Sequence, residues 1–342
     1  MTRDRARRVT RSLSTWFRKS ARKLPWRQRR TAYHALVSEF MLQQTQVSRV
    51  LEYYPAFIKQ FPTFRALAAA DEQEVLAAWQ GLGYYRRARN LHRAARQIVA
   101  EHGGRLPKNI DQLQELPGIG RFTAGSLASI LFGQAQPIVD GNVLRVLSRL
   151  AGETLADDQA WAHAAFLVSM ADDPAIFNEG LMEMGAIVCT PSAPRCGACN
   201  LKRLCRARKQ GIQEEVPRPR TRKQPKKVHH YVAAVRHRGK LLFQQRPEEG
   251  LWSNMWQLPT VESDRTCKVS ELVFETPITQ LRSLGRFEHQ TSHRRIHFHV
   301  LEGKLDASAS FQGQGTWRLP TKIQDLPMSN AQRKVLAMVV GQ

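Results

Sequence analysis

Hydrophobic positions recur at helical spacing up to about residue 208. One stripe comprises Tyr33, Leu36, Val37, Phe40 and Met41, and others follow at Ala66, Leu67, Ala70, Val75, Leu76 and Trp79. Residues three and four apart share one face of a helix, so each stripe predicts an amphipathic helix that packs against a core. Because no β-type alternation interrupts the stripes, this part of the chain is predicted to be mainly α-helical.

The pattern changes after residue 210. Pro217, Pro219 and Pro225, mixed with Arg and Lys, predict an extended basic linker over 211–228. Beyond the linker, apolar and polar residues alternate as they do on half-buried strands.

The alternating part of the chain predicts an α+β domain. Two apolar runs flank Arg238-Gly239, a pair that suits a β-hairpin turn, and another alternation covers 296–300. A helical pattern over 330–340 closes the chain, with Ser329 as its predicted N-cap. The predicted organisation is a helical domain over 1–210, the linker over 211–228 and an α+β domain over 229–342.

Length and composition agree with two domains. A chain of 342 residues with 42% hydrophobic content can bury two ordinary cores. No apolar run approaches about eighteen residues, so no segment is expected to cross a membrane.

Four of the five cysteines lie within seventeen residues, in the spacing C-x6-C-x2-C-x5-C. Disulfides among such close neighbours would close small loops and stabilise little, whereas one short loop can wrap four thiolates around a metal centre. Structural zinc usually takes two well-separated pairs, so the spacing favours an iron–sulfur cluster and leaves zinc open. The predicted ligands are Cys189, Cys196, Cys199 and Cys205.

The charge of the chain indicates a polyanionic partner. Lys and Arg outnumber Asp and Glu by 52 to 29, the net charge is +23 and the pI is near 10.6. Residues 1–30 carry twelve basic side chains against Asp4 alone, and 202–227 carry eleven against Glu214 and Glu215. Such blocks are often merely solvated, but next to a metal-binding loop they favour DNA, where neutralising each phosphate releases counterions.

Residues 111–131 place a helix, a Pro-Gly-Ile-Gly turn and a second helix in succession. Gly118 and Gly120 let the backbone bring amide groups close to an anion at the start of a helix, which favours a phosphate-binding hairpin over a plain corner. Asp140 and Asn142 follow in Val-Asp-Gly-Asn-Val. Either residue could cap the next helix, or the carboxylate could face a bound strand.

The chain resembles the endonuclease III superfamily of DNA glycosylases in three of these features and in their order. They are the turn Leu-Pro-Gly-Ile-Gly, the Val-Asp-Gly-Asn segment and the cysteine loop. Segments 24–27 (LPWR), 38–47 (SEFMLQQTQV) and 81–85 (GLGYY) are similar to adenine DNA glycosylases of the MutY family. The likeness covers nearly the whole chain. It implies a helix–hairpin–helix glycosylase fold with one [4Fe–4S] cluster.

The resemblance implies a catalytic set of three residues. Glu39 matches the family's general acid, Asp140 matches the carboxylate that stabilises the oxocarbenium ion, and Asn142 matches a residue that positions Asp140 and the sugar. Cleavage of an N-glycosidic bond requires one protonated and one ionised carboxyl group, which agrees with this pair.

The resemblance also implies the surfaces that hold the flipped base and the DNA. The residues that match the adenine pocket are Trp26, Arg27, Leu42, Glu179 and Met182. Those that match DNA contacts are Gln43, Gln44, Thr45, Leu82, Tyr84, Gly118, Gly120 and Thr123. Within this set, Gln44 and Tyr84 resemble side chains that enter the helix opposite the flipped nucleotide.

Two positions depart from the family. Phe122 stands where relatives have Tyr or Ser, and where bifunctional glycosylases have their Schiff-base Lys, so a β-lyase that depends on an imine is not expected. In the C-terminal domain, segment 250–259 (GLWSNMWQLP) resembles the start of the motif region of the MutT-like (Nudix-fold) domain, but the acidic residues that bind catalytic metal are missing. This domain is expected to read 8-oxoguanine through Ser292 and His293, with Thr291 in place of a Phe.

The sequence therefore predicts a monofunctional adenine DNA glycosylase that removes adenine opposite 8-oxoguanine, or more weakly opposite guanine, from double-stranded DNA. Two alternatives are a bifunctional oxidised-pyrimidine glycosylase and a non-catalytic damage-binding protein. A monomer in the reducing bacterial cytoplasm, associated with the nucleoid, is expected.

Overall fold

A computed structural model describes residues 1–218, 224–306, 315–323 and 326–341. Part of the predicted linker, 219–223 with Pro219, lies outside these residues. The chain forms two compact units, of which the first comprises Met1–Ala69 and Asn90–Arg220 and the second comprises Ala70–Arg89 and Thr221–Gln342.

Helices form the described chain up to residue 210, as the stripes predict. In chain order they are α1 Arg3–Ser20, α2 Pro25–Gln28, α3 Ala32–Leu42, α4 Val47–Gln60, α5 Phe64–Ala69, α6 Glu72–Ala78, α7 Arg86–Glu101, α8 Ile110–Glu115, α9 Arg121–Phe132, α10 Gly141–Ala151, α11 Asp157–Val168, α12 Pro174–Ile187 and α13 Arg206–Gln210. None of the helices that the structure describes is long and apolar enough to cross a membrane.

The core of the first unit forms around α1, α10, α11 and α12. Ala6, Val9 and Leu13 are spaced three and four apart on α1 and are fully buried against apolar residues of the other three helices. Thr2 caps α1, since its hydroxyl accepts a hydrogen bond from the Arg5 amide. The same core extends to Cys189, Cys199 and Cys205 and so connects the helices to the cysteine loop.

The second unit contains a mixed sheet and a closing helix. Its described elements are β1 Lys226–His237, β2 Lys240–Gln245, β3 Trp256–Gln257, β4 Thr260–Ser263, β5 Ile278–Gln290, β6 Arg294–Leu305, β7 Gly315–Arg318 and α14 Asn330–Val340. The strand order is β3-β2-β1-β6-β5, with β4 on β1 and β7 on β2. β1 and β6 are parallel, and the other named pairs are antiparallel.

The turn and helix predictions for this unit are confirmed. Arg238 and Gly239 join β1 to β2 with φ of 47° and 74°, the positive values that a tight hairpin turn needs. Ser329 caps α14, because its hydroxyl accepts from the Gln332 amide. Val335 on α14 packs in one apolar cluster with Phe298 of the sheet.

Residues 70–89 differ from the predicted division, which placed them in the helical domain. They belong to the second unit, since α6 hydrogen-bonds to the loop before β3. Asn254 Nδ2 donates to Glu72 Oε1 at 2.8 Å, and Gln73 Nε2 donates to the Asn254 carbonyl at 3.1 Å. In addition, β1 begins at Lys226, inside the predicted linker.

Candidate active site

A cavity of about 460 Å³ in the first unit brings together the predicted catalytic and adenine-pocket residues and three of the predicted DNA contacts. Its volume lies within the range of roughly 300–1,000 Å³ that is typical of small-ligand sites. The predicted residues in its wall are Glu39, Asp140, Asn142, Trp26, Arg27, Leu42, Glu179, Met182, Gln43, Gln44 and Thr45. The residues predicted to be catalytic and those predicted to form the adenine pocket therefore share one cavity.

Glu39 lies on α3, where its neighbours Phe40 and Met41 are fully buried. The Ser126 hydroxyl on α9 donates to Glu39 Oε1 at 2.9 Å. Burial raises the pKa of Glu39 to about 7, the Ser126 hydrogen bond works against that rise, and the charges of Glu179 and Asp140 add to it. Below about pH 7 this carboxyl group is protonated and can act as an acid.

Asp140 has a structural role as well as a position in the cavity. It is the N-cap of α10, and its Oδ1 accepts from the Val143 amide at 2.7 Å. Asn142 Nδ2 lies 3.4 Å from Asp140 Oδ2, and Asn142 Oδ1 accepts from Arg145 Nη2 at 2.7 Å. The capping interpretation and the catalytic one are compatible, because capping fixes the direction of the carboxylate.

An ion network around two buried glutamates forms another part of the cavity wall. Arg27 Nε lies 3.0 Å from Glu179 Oε1, and Arg27 Nη2 lies 3.1 Å from Glu183 Oε2. Arg22 also pairs with Glu183 at 2.7 Å, and Arg30 pairs with Glu179 at 2.7 Å. Although burial opposes it, hydrogen bonds and charge from Arg22 and Arg27 hold the pKa of Glu183 below its usual value.

Sequence reasoning missed three members of this network, namely Arg22, Arg30 and Glu183. One signal was available for Glu183, because it follows Glu179 by four residues on α12 and so shares its helix face. Ser126 was missed as well.

The hairpin between α8 and α9 requires glycine. Gly118 has φ of 80°, and a Cβ there would lie 2.7 Å from Asn90 Cβ and 2.8 Å from Phe40 Cε1. Gly120 is the N-cap of α9 and supplies no side-chain cap. Thr123 is buried, and Gln43 Nε2 lies 3.4 Å from its hydroxyl. The turn thus packs against α3 and presents backbone amides at a helix start, as a phosphate site needs.

Phe122 lies in the wall of the same cavity. Its side chain has neither an amine nor a hydroxyl, so this position supplies no nucleophile to the sugar.

The four predicted ligand cysteines line a second, smaller cavity together with Arg149, Lys202 and Arg208. No group of His, Cys, Asp and Glu in the described ranges is arranged to hold a single metal ion. Arg149 Nη1 donates to Cys189 Sγ at 3.3 Å. Four cysteine sulfurs beside three cationic side chains suit an anionic iron–sulfur cluster, whose sulfur atoms accept such hydrogen bonds.

Helix α10 connects the two cavities. Asp140 caps its start, and one turn later Arg145 donates to the carbonyls of Cys189 and Gly185, each at 2.8 Å. Arg149 follows on the next turn and holds the carbonyls of Thr190 and Pro191. Side chains of α10 therefore hydrogen-bond directly to the cysteine loop.

The remaining predicted DNA contacts lie in the second unit. Tyr84 has φ of 48° and is 46% exposed, and its hydroxyl lies 2.6 Å from Ser292 Oγ. Leu82 is buried one residue before Gly83, whose carbonyl accepts from Trp79 Nε1 at 3.1 Å.

The loop that carries Ser292 and His293 is a tight turn, and both residues are exposed. Thr291 Oγ1 accepts from the Arg294 amide at 3.1 Å, and the Thr291 amide donates to the Arg294 carbonyl at 2.8 Å. The residue that replaces the expected Phe thus closes the turn between β5 and β6.

Comparisons with known proteins agree with this architecture. A family model described as HhH-GPD superfamily base excision DNA repair protein matches residues 37–164, and a NUDIX domain model matches residues 230–338. An adenine DNA glycosylase from Homo sapiens is 35% identical over 97% of this chain and 74% of its own length. The chain belongs to the adenine DNA glycosylases.

A second adenine DNA glycosylase and a solved DNA glycosylase structure are also similar to this adenine DNA glycosylase. One from Mycolicibacterium smegmatis is 43% identical over 58% of this chain and 69% of its own length. The solved structure of a thermostable thymine-DNA glycosylase is 28% identical, with a TM-score of 0.56, and the match covers 60% of this chain and 98% of that one. The predicted helical glycosylase domain followed by a Nudix-like domain, the DNA substrate and the N-glycosylase activity in base excision repair are confirmed.

Proposed function

We propose that this adenine DNA glycosylase removes adenine paired with 8-oxoguanine, and more slowly adenine paired with guanine, with Glu39 as the general acid and Asp140 as the stabilising carboxylate. The observation that carries the proposal is the single cavity that holds both carboxyl groups beside the adenine-pocket residues. A pKa of about 7 for Glu39 gives the protonated form that the first step needs.

In the proposed reaction, adenine leaves the helix and enters the cavity. Glu39 transfers its proton to a ring nitrogen, the C1′–N9 bond breaks, and its electron pair leaves with the base. Asp140 stabilises the positive charge that develops on the sugar. Water then adds to C1′ and releases a proton, which leaves an abasic site.

We propose that the enzyme is monofunctional. Phe122 provides no amine in the cavity wall, so water and not a lysine attacks the sugar.

The reading of the opposite base is assigned to the second unit. The hydrogen bond between Tyr84 and Ser292 puts an exposed aromatic ring next to the polar Ser292-His293 loop. A ring can stack within the duplex, and the two polar side chains can offer hydrogen bonds that distinguish an oxidised purine from guanine.

Removal of residues 221–342 would also remove the rest of the unit to which Ala70–Arg89 belongs. Point variants therefore test this assignment better than a truncation. The Ser292→Ala/His293→Ala double variant is expected to lose about ten- to hundredfold of the preference for 8-oxoguanine over guanine, and Tyr84→Phe to lose a smaller part. The measurement is the ratio of single-turnover rates on the two mispairs.

Ser283→Ala, at an exposed serine on β5, is the matched control and should keep the preference. If the double variant discriminates as well as the native protein, the second unit is not the lesion reader.

We also propose that Cys189, Cys196, Cys199 and Cys205 hold one [4Fe–4S] cluster. A bound cluster would fix the cysteine loop and its basic side chains against DNA. The chain's own contribution is visible in Arg149, which donates to the Cys189 sulfur and to two carbonyls of the loop.

Cys199→Ser is expected to remove the brown colour and the iron, and to weaken DNA binding more than it slows base removal in the bound fraction. Absorption spectra, iron content and binding titrations check this. Cys267→Ser, outside the loop, should keep the colour. A colourless native protein that contains zinc would contradict the cluster.

We further propose that the enzyme acts as a monomer on nucleoid DNA in the bacterial cytoplasm. The net charge of +23 supports a stable association with DNA phosphates.

A further inference from the structure

Ser126 is a buried polar residue that touches the proposed acid. It lies on α9 with none of its surface exposed, and its hydroxyl lies 2.9 Å from Glu39 Oε1. Within the part of the chain that the structure describes, Glu39 Oε1 is the one hydrogen-bond partner of this hydroxyl.

The chemistry of the pair fixes the direction of the hydrogen bond. A serine hydroxyl has a single proton, and burying that proton without an acceptor is costly. The hydroxyl therefore donates to Glu39 Oε1 whether Glu39 is ionised or neutral. In the neutral form, the acid proton then resides on Oε2, the oxygen that Ser126 leaves free.

We infer that Ser126 is a positioning residue for base removal: its hydroxyl fixes Oε1 of Glu39 and so directs the transferable proton to Oε2. This inference rests on the proposed role of Glu39 as the general acid.

Apart from Ser126, the groups that shift the pKa of Glu39 are charged, so the contribution of the neutral hydroxyl donor can be measured separately. Asp140 at the start of α10 and Glu179 on α12 both favour the protonated acid. Arg27 forms ion pairs with Glu179 and Glu183. Glu183 also pairs with Arg22, and Glu179 also pairs with Arg30. Ser126 is the group that directly hydrogen-bonds to the Glu39 carboxylate, and it favours the ionised form.

The test is the pH dependence of the single-turnover rate on an adenine:8-oxoguanine duplex. Loss of the hydroxyl in Ser126→Ala raises the pKa of Glu39, so the fall in rate at high pH should move up by about one pH unit. The plateau rate at lower pH should drop about three- to tenfold, because the carboxyl is less well oriented and is a weaker acid. For Ser126→Cys, which keeps a weaker donor of similar size, the pH shift and the drop in rate should lie between those of the native protein and those of Ser126→Ala.

Ser129→Ala is the matched control. Ser129 is buried one turn along α9, donates to the Ser126 carbonyl at 3.1 Å and accepts from Asn178 Nδ2 at 3.0 Å. A loss of packing on α9 should affect both alanine variants, whereas only the Ser126 variants should move the pH profile.

An unmoved profile in both Ser126 variants, or an equal movement in Ser129→Ala, would overturn the inference. If Glu39 is not the general acid, Glu39→Gln will remain active. That result distinguishes a failure of the proposed role of Glu39 from a failure of the inference about Ser126. If Ser126→Ala does not fold, as judged by its thermal midpoint, the decision rests on Ser126→Cys.

Discussion

Replacement of Glu39 by Gln is expected to lower the single-turnover rate of adenine removal by on the order of 10² to 10⁴. The amide has nearly the same shape as the carboxyl group and can still accept the Ser126 hydrogen bond at its oxygen. It has no acidic proton to give to the leaving base. Affinity for the adenine:8-oxoguanine duplex should stay within about threefold, which is less than 1 kcal/mol.

Separate measurement of binding and chemistry makes this result interpretable. Glu52→Gln, at an exposed carboxyl on α4, serves as the control and should behave as the native protein. Near-native cleavage by Glu39→Gln would remove Glu39 from its proposed role and move the search for the acid to the other carboxyl groups of the cavity.

Replacement of Asp140 by Asn is expected to cost about 10² to 10³ in rate. Asn is as good an N-cap as Asp, so α10 should keep its start and the variant isolates the loss of charge. A neutral amide offers little to a positive charge that develops on the sugar in a site with little water. Single-turnover kinetics and the thermal midpoint together check the prediction.

Asp173 offers a matched control for this variant. It is the N-cap of α12, its Oδ1 accepts from the Ile176 amide at 3.0 Å, and it does not line the cavity. Asp173→Asn should leave the rate unchanged. Equal losses in the two variants would mean that Asp140 acts through helix stability and not through its charge.

The resemblance to adenine DNA glycosylases predicted the carboxylate pair, and local signals in the sequence agree with that prediction for both residues. Asp140 begins a helix within a short segment, and Glu39 is surrounded by Phe40 and Met41, whose spacing marks them as core residues. Burial of those neighbours places Glu39 at the edge of the core, where its pKa rises. Helix and strand predictions succeeded because the spacing of apolar residues that marks each element is local in the sequence.

Contacts between residues distant in the chain could not be predicted. Ser126 meets Glu39 across 87 positions, and Tyr84 meets Ser292 across 208. Each contact depends on how elements pack after they form, and neither leaves a periodic pattern. The placement of Ala70–Arg89 in the second unit has the same origin, because its helical stripe does not indicate which core it joins.

The most direct test of the account uses one duplex with a single adenine opposite 8-oxoguanine and a second with adenine opposite guanine. Under single-turnover conditions, the native protein should produce strand breaks at the adenine only after hot alkali, and faster on the 8-oxoguanine duplex. Strand breaks without alkali, accompanied by an adduct that borohydride traps, would contradict a hydrolytic site built on Glu39 and Asp140, as would the absence of cleavage on both duplexes.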